Sequence, residues 1–496
     1  MSSLVIRGGR ILDPAACRAD PADLLVTGDT IVEVGPPGLP APADARPVDA
    51  TDRLLLPGLV NAHTHAHGTL SRGVGDRWTL ELLLNAGPWV NGRRTAEDRH
   101  LATLVGAVEM VTHGCTAAYD LTLELPAPTL EGLEAVAEAY AAVGMRAVVA
   151  PMLADRTVYE AVPGLREALP PGSAADVDRL RPRPPAETMA GMVDALRRWR
   201  FGARGVGLAI APTIPTHCSD ELWTRARDAA AEFGVGLHTH LAESKVQVLA
   251  GLARYGTSLT AHLAGLGVLG PRFVAAHAIW LDDDDIARLA DAGASVSHNA
   301  GSNLRLGTGV APARRMLDRG VNLAIGTDGA SSSDHLNMFE AVRMAALVSR
   351  IASPDPDRWL SAPDVLRAAT EGSARALGLA GQIGRLAAGY KADVVFLDLR
   401  HVRYAPLNDP ATQVVFAENG SAVDRVMIGG RMVVEGGRVT TVDVSRLRAR
   451  AEAAVERLRA ETADARALAA RLEPAVTSHC GGLQARPYPV HRRLPD

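Results

Sequence analysis

Eight short apolar runs, each linked to the next by a stretch of helical periodicity, fill the middle of this chain and constrain its fold most tightly. The runs are LLLPGLVNAHTH, TAAYD, RAVVAPM, GVGLAIAP, GVGLHTH, FVAAH, ASVSHN and VNLAIGTDG. Apolar residues recur at helical spacing over 97–113, 130–143, 187–199, 219–233, 244–255, 284–291, 311–319 and 335–350. Such alternation predicts a (β/α)8 barrel across residues 56–375.

The flanks have a different texture. LVIRGGRILD and DLLVTGDTIVEVG near the start, and ADVVFLDL and DRVMIGGRMVVEGG near the end, are β-branched runs broken by glycine. Gly8-Gly9, Gly28-Asp29 and Gly429-Gly430 are read as hairpin turns. Residues 1–55 and 376–443 are therefore expected to build one small β-sandwich from both ends of the chain. Residues 444–496 are expected to form a helix over 444–470 and then an extended arm, because Gly481-Gly482 and several prolines follow. Residues 155–190 are Pro-rich and read as a long active-site loop.

Composition narrows the class. With 47% hydrophobic and 22% charged residues, the 496-residue chain can bury a large core. A net charge of −4 with no basic run argues against a nucleic-acid partner. No apolar run reaches the roughly 18 residues needed to span a bilayer. The start lacks the charged and apolar regions of a signal peptide, and Cys17, Cys115, Cys218 and Cys480 form no C-x-x-C pair. That usage fits a reducing compartment, so a cytoplasmic protein is expected.

Chemistry-bearing residues gather where the runs end. His63 and His65 close the first run; residues two apart on a strand share a face, so both imidazoles can reach one point. An isolated H-x-H is as compatible with surface or core histidines as with metal ligands. The fifth run ends in His238-Thr239-His240 with Glu243 just beyond, the sixth at His277, and the eighth at Asp328. Asp328 alone reads as a turn cap before Gly329. Together, however, imidazoles and carboxylates end strands 1, 5, 6 and 8 on one rim, where barrels carry their catalytic groups.

These blocks resemble a known family. PGLVNAHTH, GLHTHLAES, VAAHAIWL, HNAGSNLRLGTG and GTDGASSSDHLNMFEAVRMA are similar to the signature segments of amidohydrolase-superfamily deaminases and chlorohydrolases. That branch includes cytosine deaminase, guanine deaminase, S-adenosylhomocysteine deaminase and the s-triazine hydrolases. GRLAAGYKADVVFLDL resembles the family's closing β segment.

The resemblance implies that His63, His65, His240 and Asp328 hold one divalent ion, zinc or ferrous iron. It also implies that Glu243 shuttles protons and that His277 orients the water or polarises the substrate. The residue types suit those roles: imidazoles and a carboxylate fit such an ion with an open position. An ion of this kind lowers the pKa of a bound water towards about 7. Asp328 can accept that water's proton, and Glu243 can protonate a ring nitrogen. Binuclear relatives bridge two ions with a lysine on the fourth strand, and GVGLAIAP contains none; the chain's lysines are Lys245 and Lys391.

Other residues carry divided expectations. His67 continues the i, i+2 spacing and is read as a pocket residue in preference to a fifth ligand. His238 lines the pocket or fills a core layer. His298 and Asn303 fall where the family places substrate contacts, although Ala300 stands where relatives commonly have proline. Arg72, Asp76, Arg77, Trp78 and Glu81 follow the first strand, in a region that the resemblance implies shapes selectivity, and Trp78 either stacks on a flat heterocycle or packs in the core.

The expected activity is hydrolytic deamination of a nitrogen heterocycle of purine, pyrimidine, pterin or triazine type. Displacement of chloride or alkylamine from an azine ring is the alternative, followed by cyclic amide hydrolysis. A non-catalytic binding scaffold is the remote one. A homo-oligomer is expected, with the C-terminal helix and arm available to pack on a neighbour.

Overall fold

A computed structural model describes residues 3–14 and 16–493. Five strands open the chain: β1 (Ser3–Asp13), β2 (Arg18–Thr27), β3 (Thr30–Gly35), β4 (Arg46–Asp49) and β5 (Arg53–Pro57). The middle contributes β6 (Leu59–His65), β7 (Cys115–Thr122), β8 (Arg146–Leu153), β9 (Val206–Leu208), β10 (Ala211–Pro212), β11 (Leu237–Leu241), β12 (Phe273–His277), β13 (Ser295–His298), β14 (Asn322–Ile325) and β15 (Asp328–Gly329). The last are β16 (Val394–Asp398), β17 (Val423–Ile428), β18 (Arg431–Glu435) and β19 (Arg438–Val439).

Both ends of the chain join one sheet, in the order β19-β18-β17-β16-β5-β1-β2-β3, with β4 beside β1. Its own core draws Leu4, Ile6, Leu24 and Val26 from the first segment and Val394, Phe396 and Met427 from the last. Gly28-Asp29 and Gly429-Gly430 do turn hairpins, between β2 and β3 and between β17 and β18. Gly8-Gly9 does not. β1 runs straight through it, and the register slips between Ile6↔Leu24 and Gly9↔Ala22, so the glycines form a bulge instead of a turn.

The middle strands pair in parallel as two arcs, β10-β8-β7-β6-β15 with β9 on β8, and β11-β12-β13-β14. A parallel bridge between Ile210 and Leu237 links the arcs on one side. On the other side β14 runs within two residues into β15, which pairs with β6. One buried cluster collects Val60 and Ala62 from β6, Tyr119 from β7, Ala150 from β8, Ala211 from β10, Val274 from β12 and Ala324 from β14. Both arcs thus face a common interior.

The first apolar run is two strands, not one. β5 pairs with β16 in the terminal sheet, β6 pairs with β7 in the central one, and Gly58 divides them. A Cβ at Gly58 would lie 2.0 Å from Thr116 Oγ1, so only glycine passes this crossing.

Two further expectations are corrected. Residues 155–190 are not an irregular loop: they contain helices Val158–Ala161 and Ala174–Asp178 and the start of Pro185–Arg198. Val158, Tyr159, Leu165 and Val177 there share a buried cluster with Leu472, Val476, Cys480 and Leu483. The arm also begins later than expected, because helices Leu447–Glu461 and Ala463–Gln484 carry Gly481-Gly482 inside the second. Each glycine costs a helix about 1 kcal/mol, whereas each buried Leu or Val returns roughly 1.5–3 kcal/mol. Packing wins. The C-terminal helices lie on this same chain, where Arg457 pairs with Asp98 and Asn85 donates to the Ala469 carbonyl. Among the described residues, no helix is long and apolar enough to cross a membrane.

Candidate active site

β6 delivers two imidazoles through an irregularity. Asn61 pairs with Ala118 but Thr64 pairs with Asp120, so one extra residue bulges from β6 across Ala62 and His63. A bulge re-aims the side chains that follow it. His63 and His65 then share one side, 4.8 Å apart between ring centroids.

Backbone carbonyls fix the tautomers. His65 Nδ1 donates to the Leu121 carbonyl at 2.6 Å, and His240 Nδ1 to the Thr213 carbonyl at 2.7 Å. A neutral imidazole carries one N–H, so both Nε2 atoms are bare. They face each other at 3.1 Å. His63 points Nε2 towards Asp328 Oδ1 at 3.4 Å, and His65 Nε2 lies 3.1 Å from the same oxygen. β15 places that carboxylate, since Asp328 pairs with Thr64 between the two β6 histidines.

Bare lone pairs and a carboxylate at such separations repel unless a proton or a cation lies among them. Burial holds His63 down to about 3 and His240 well below the ordinary histidine range, so neither takes the proton. Burial also opposes the charge on His65, but its hydrogen bond to Asp328 overrides this and raises it. Asp328 is buried too, yet the His63 and His65 contacts hold it well below the carboxylate range. A four-coordinate ion about 2.0–2.1 Å from each ligand needs ligand atoms roughly 3.3 Å apart. The three separations given match that spacing, and the donors of His63, His65 and His240 all lie within 4.8 Å of one another, so the set fits a metal ion.

An acid and a base stand beside it. Glu243 Oε2 is buried without a partner, 3.7 Å from His277 Nε2. Burial, then the charges of Asp328 and Glu81, raise the Glu243 carboxyl well above its usual range. His277 Nδ1 donates to Asn303 Oδ1 at 2.8 Å, and Asn299 Nδ2 lies 3.5 Å from its Nε2, which leaves Nε2 as an acceptor. Ala242, His277, Ala278 and Asp328 all hold positive φ, between 48° and 68°. Non-glycine residues adopt this conformation at a cost, and here it recurs just past β11, at the end of β12 and at β15, each beside a side chain of the site.

With this geometry in place, comparison with known proteins is decisive. Residues 54–433 match the model of the amidohydrolase family. The chain belongs to the amidohydrolase family. It is similar to a 5-methylthioadenosine/S-adenosylhomocysteine deaminase of Syntrophobacter fumaroxidans, with 35% identity over 90% of this chain and 97% of that one. A solved adenosine deaminase from Xanthomonas campestris with bound zinc superposes with a TM-score of 0.81 and 30% identity, over 92% of this chain and 99% of that one. An atrazine chlorohydrolase of Arthrobacter aurescens TC1 complexed with zinc gives a TM-score of 0.80 and 29% identity, over 91% and 100%. These neighbours share the amidohydrolase fold.

The remaining predicted residues of this amidohydrolase lie in different surroundings. His238 is fully buried one layer below His240, its Nε2 3.2 Å from His63 Nδ1 and its ring against Tyr119. His67 is buried 5.5 Å from His65 between ring centroids, with Nδ1 unpartnered. Arg72 is held on Glu109. Trp78 packs edge-on against Trp89 at 5.9 Å and joins the apolar cluster under the C-terminal helix. Asn303 faces His277, whereas His298 lines a cavity that includes none of the metal-type donors. Lys245 donates to the Gln484 carbonyl and Lys391 to Asp29, so neither lysine is spent at the site.

Sequence reasoning missed several contributors. Ser302 donates to Asp328 Oδ2 at 2.5 Å, and its helix Ala300–Arg305 follows Asn299 directly. Asn299, Ser302 and Asn303 stand at i, i+3 and i+4, a helical spacing that could have grouped them. Glu81, placed by the sequence only in the stretch after the first strand, accepts from Ser244 through Oε1 beside Glu243. The Leu121 and Thr213 carbonyls left no signal, because any residue supplies a carbonyl.

Proposed function

We propose that this amidohydrolase deaminates a nitrogen heterocycle with water, using one divalent ion held by His63, His65, His240 and Asp328. Zinc is the first choice and ferrous iron the second. One observation carries the reading: two groups of donors, His63 with His65 and His240, and His63 with His277 and Asp328, meet at His63, and Asp328 Oδ1 also lies 3.1 Å from His65 Nε2, with too few protons to reconcile them.

Bound there, the ion supplies Lewis acidity and lowers the pKa of an attacking water. Asp328 stays ionised and can take that water's proton, while Ser302 steadies its second oxygen. Glu243, whose carboxyl is raised well above its usual range by burial and by the charges of Asp328 and Glu81, can give a proton to a ring nitrogen and then serve the departing amine. His277 Nε2, an acceptor 4.0 Å from Asp328 Oδ2, can orient the water by accepting from it. Asn303 and Asn299 hold that ring in place. Arg72, His67 and His238 complete the proposed pocket surroundings, and Trp78 acts from the apolar wall.

The likeness to an atrazine chlorohydrolase supports a second reading, displacement of chloride or alkylamine from an azine ring by the same water. A screen of purines, pyrimidines, pterins and triazines with metal-quantified enzyme separates the two. Ammonia release without chloride supports deamination; turnover confined to chloro- or alkylamino-azines overturns it.

We read the two arcs as one closed (β/α)8 barrel over residues 56–375, and the terminal sheet as a β-sandwich of 1–55 and 376–443 followed by the 444–496 extension. The crossing at Gly58 moves the first boundary by a few residues. The four free cysteines, three of them buried, support a cytoplasmic site. A homo-oligomer is also proposed, and light scattering of the intact chain tests it.

A further inference from the structure

A cavity of about 270 Å³, apart from the site described above, lies between the C-terminal arm and the segment after β13. Its lining includes the arginines Arg314, Arg315, Arg358, Arg492 and Arg493, together with His298, and contains no Asp or Glu. Two of these cations are compensated from outside: Arg314 by Asp318 at 2.6 Å and Asp364 at 3.3 Å, and Arg315 by Asp283.

The other three form no ion pair among the described residues. Arg492 donates to the carbonyls of Ile279 at 2.8 Å, Leu281 at 2.6 Å and His491 at 3.2 Å, with the charges of Asp283 and Asp282 also bearing on it, and Arg493 donates to Gln484 Oε1 at 3.0 Å. Among the described residues Arg358 has no ion-pair partner. His298 adds an independent sign. It is 1% exposed, and both ring nitrogens lack a hydrogen-bond partner. Buried polar atoms are rarely left so, and the one N–H of this neutral ring, beside these guanidinium groups, can be satisfied by the oxygen of an anion.

We propose that this cavity binds the phosphate group of a small metabolite, separately from the heterocycle site. Guanidinium groups approach from three parts of the chain: Arg314 and Arg315 from helix Ala313–Asp318, Arg358 from beyond helix Met338–Ile351, and Arg492 from the arm. A tetrahedral phosphate offers oxygens in all these directions, whereas a carboxylate offers two in one plane. The volume exceeds that of one water, roughly 30 Å³, several times over.

Occupancy also bears on the arm. The Arg492 carbonyl accepts from Val310 N, and its guanidinium rests on carbonyls two and four residues past His277. A phosphate bridging Arg492 to Arg314 or Arg358 fixes the arm over that loop.

The test uses the full-length, metal-loaded enzyme, with isothermal titration and thermal unfolding in sodium phosphate, sodium malonate and sodium chloride at matched ionic strength. The expected result is saturable phosphate binding with a rise in Tm, weakened at least about tenfold in Arg358→Gln and Arg492→Gln. Arg358 is exposed, so its variant keeps the fold even if loss of Arg492 frees the arm. Absence of saturable binding overturns the proposal, as does malonate binding equal to phosphate. Phosphate binding unchanged in Arg358→Gln places the anion elsewhere, including at the catalytic ion, and overturns it too.

Discussion

Two strands of this protein carry the same His-Thr-His triplet and use it differently. On β6, His63 and His65 both turn their Nε2 atoms to the proposed metal position. On β11, His240 does so alone, and His238 sits behind His63 against Tyr119. The spacing is identical, and in each strand the outer imidazoles share a face. Depth separates them. Two residues along a strand is about 6.6 Å, enough to put His240 at the rim and His238 in the layer below. On β6 the bulge between Asn61 and Thr64 shortens that advance and lifts both histidines to the rim. A motif specifies direction; the local pairing specifies height.

The contrast makes its strongest prediction at the ligands. His63→Ala and Asp328→Asn abolish turnover and reduce bound metal below one ion per chain, with circular dichroism unchanged. Retained activity in either variant would dissolve the distinction between the strands.

Glu243, beyond the β11 triplet, is next in expected effect. Glu243→Gln lowers kcat by roughly 10²–10⁴-fold while metal content stays at the wild-type value. A parallel loss of metal would make Glu243 a structural support of the ion instead of a proton donor.

His238→Leu sharpens the comparison directly. Removing the group that orients His63 weakens zinc binding by about 10–100-fold, and excess zinc restores activity. His63→Ala is not rescued in this way. If zinc fails to rescue His238→Leu, then His238 belongs with the rim histidines.

The smallest effect concerns pH. In the metal-free protein His65 is raised above 6.5 by Asp328, while His63 is held at about 3 by burial. As pH falls through the raised His65 value, one proton competes with the ion, so zinc affinity drops about tenfold per unit below it and levels off above. His63 contributes no proton in that window. A slope of two protons per ion in calorimetry would show that the two β6 histidines titrate together.

Much of the site was legible because metal chemistry limits the residue types. His63, His65, His240, Glu243, His277 and Asp328 stood at the ends of apolar runs, where an imidazole or carboxylate has few uses besides binding and catalysis. Surroundings were harder. Trp78 as a pocket aromatic was as reasonable as Trp78 in the core, and only its contact with Trp89 and the C-terminal cluster favours the wall. His298 read as a substrate contact because the family places such contacts in the strand-7 loop; it lines the arginine-rich cavity while its ring also feels the charge of His277. The final helix passed unrecognised through Gly481-Gly482, since its stability comes from partners more than 300 residues away in helix Val158–Ala161.

The sequence by itself determined the alternation of strands and helices, the β character of both termini, and the places of the imidazoles and carboxylates that are proposed as ligands. These follow from local periodicity and from the few residue types able to bind a metal. Tertiary structure decided the tautomers, through the carbonyls of Leu121 and Thr213, and the heights of the histidines, through a one-residue bulge. It also decided which cavity each polar residue faces. Those depend on backbone groups that every residue carries alike and on register between strands far apart in the chain, so no side-chain pattern records them.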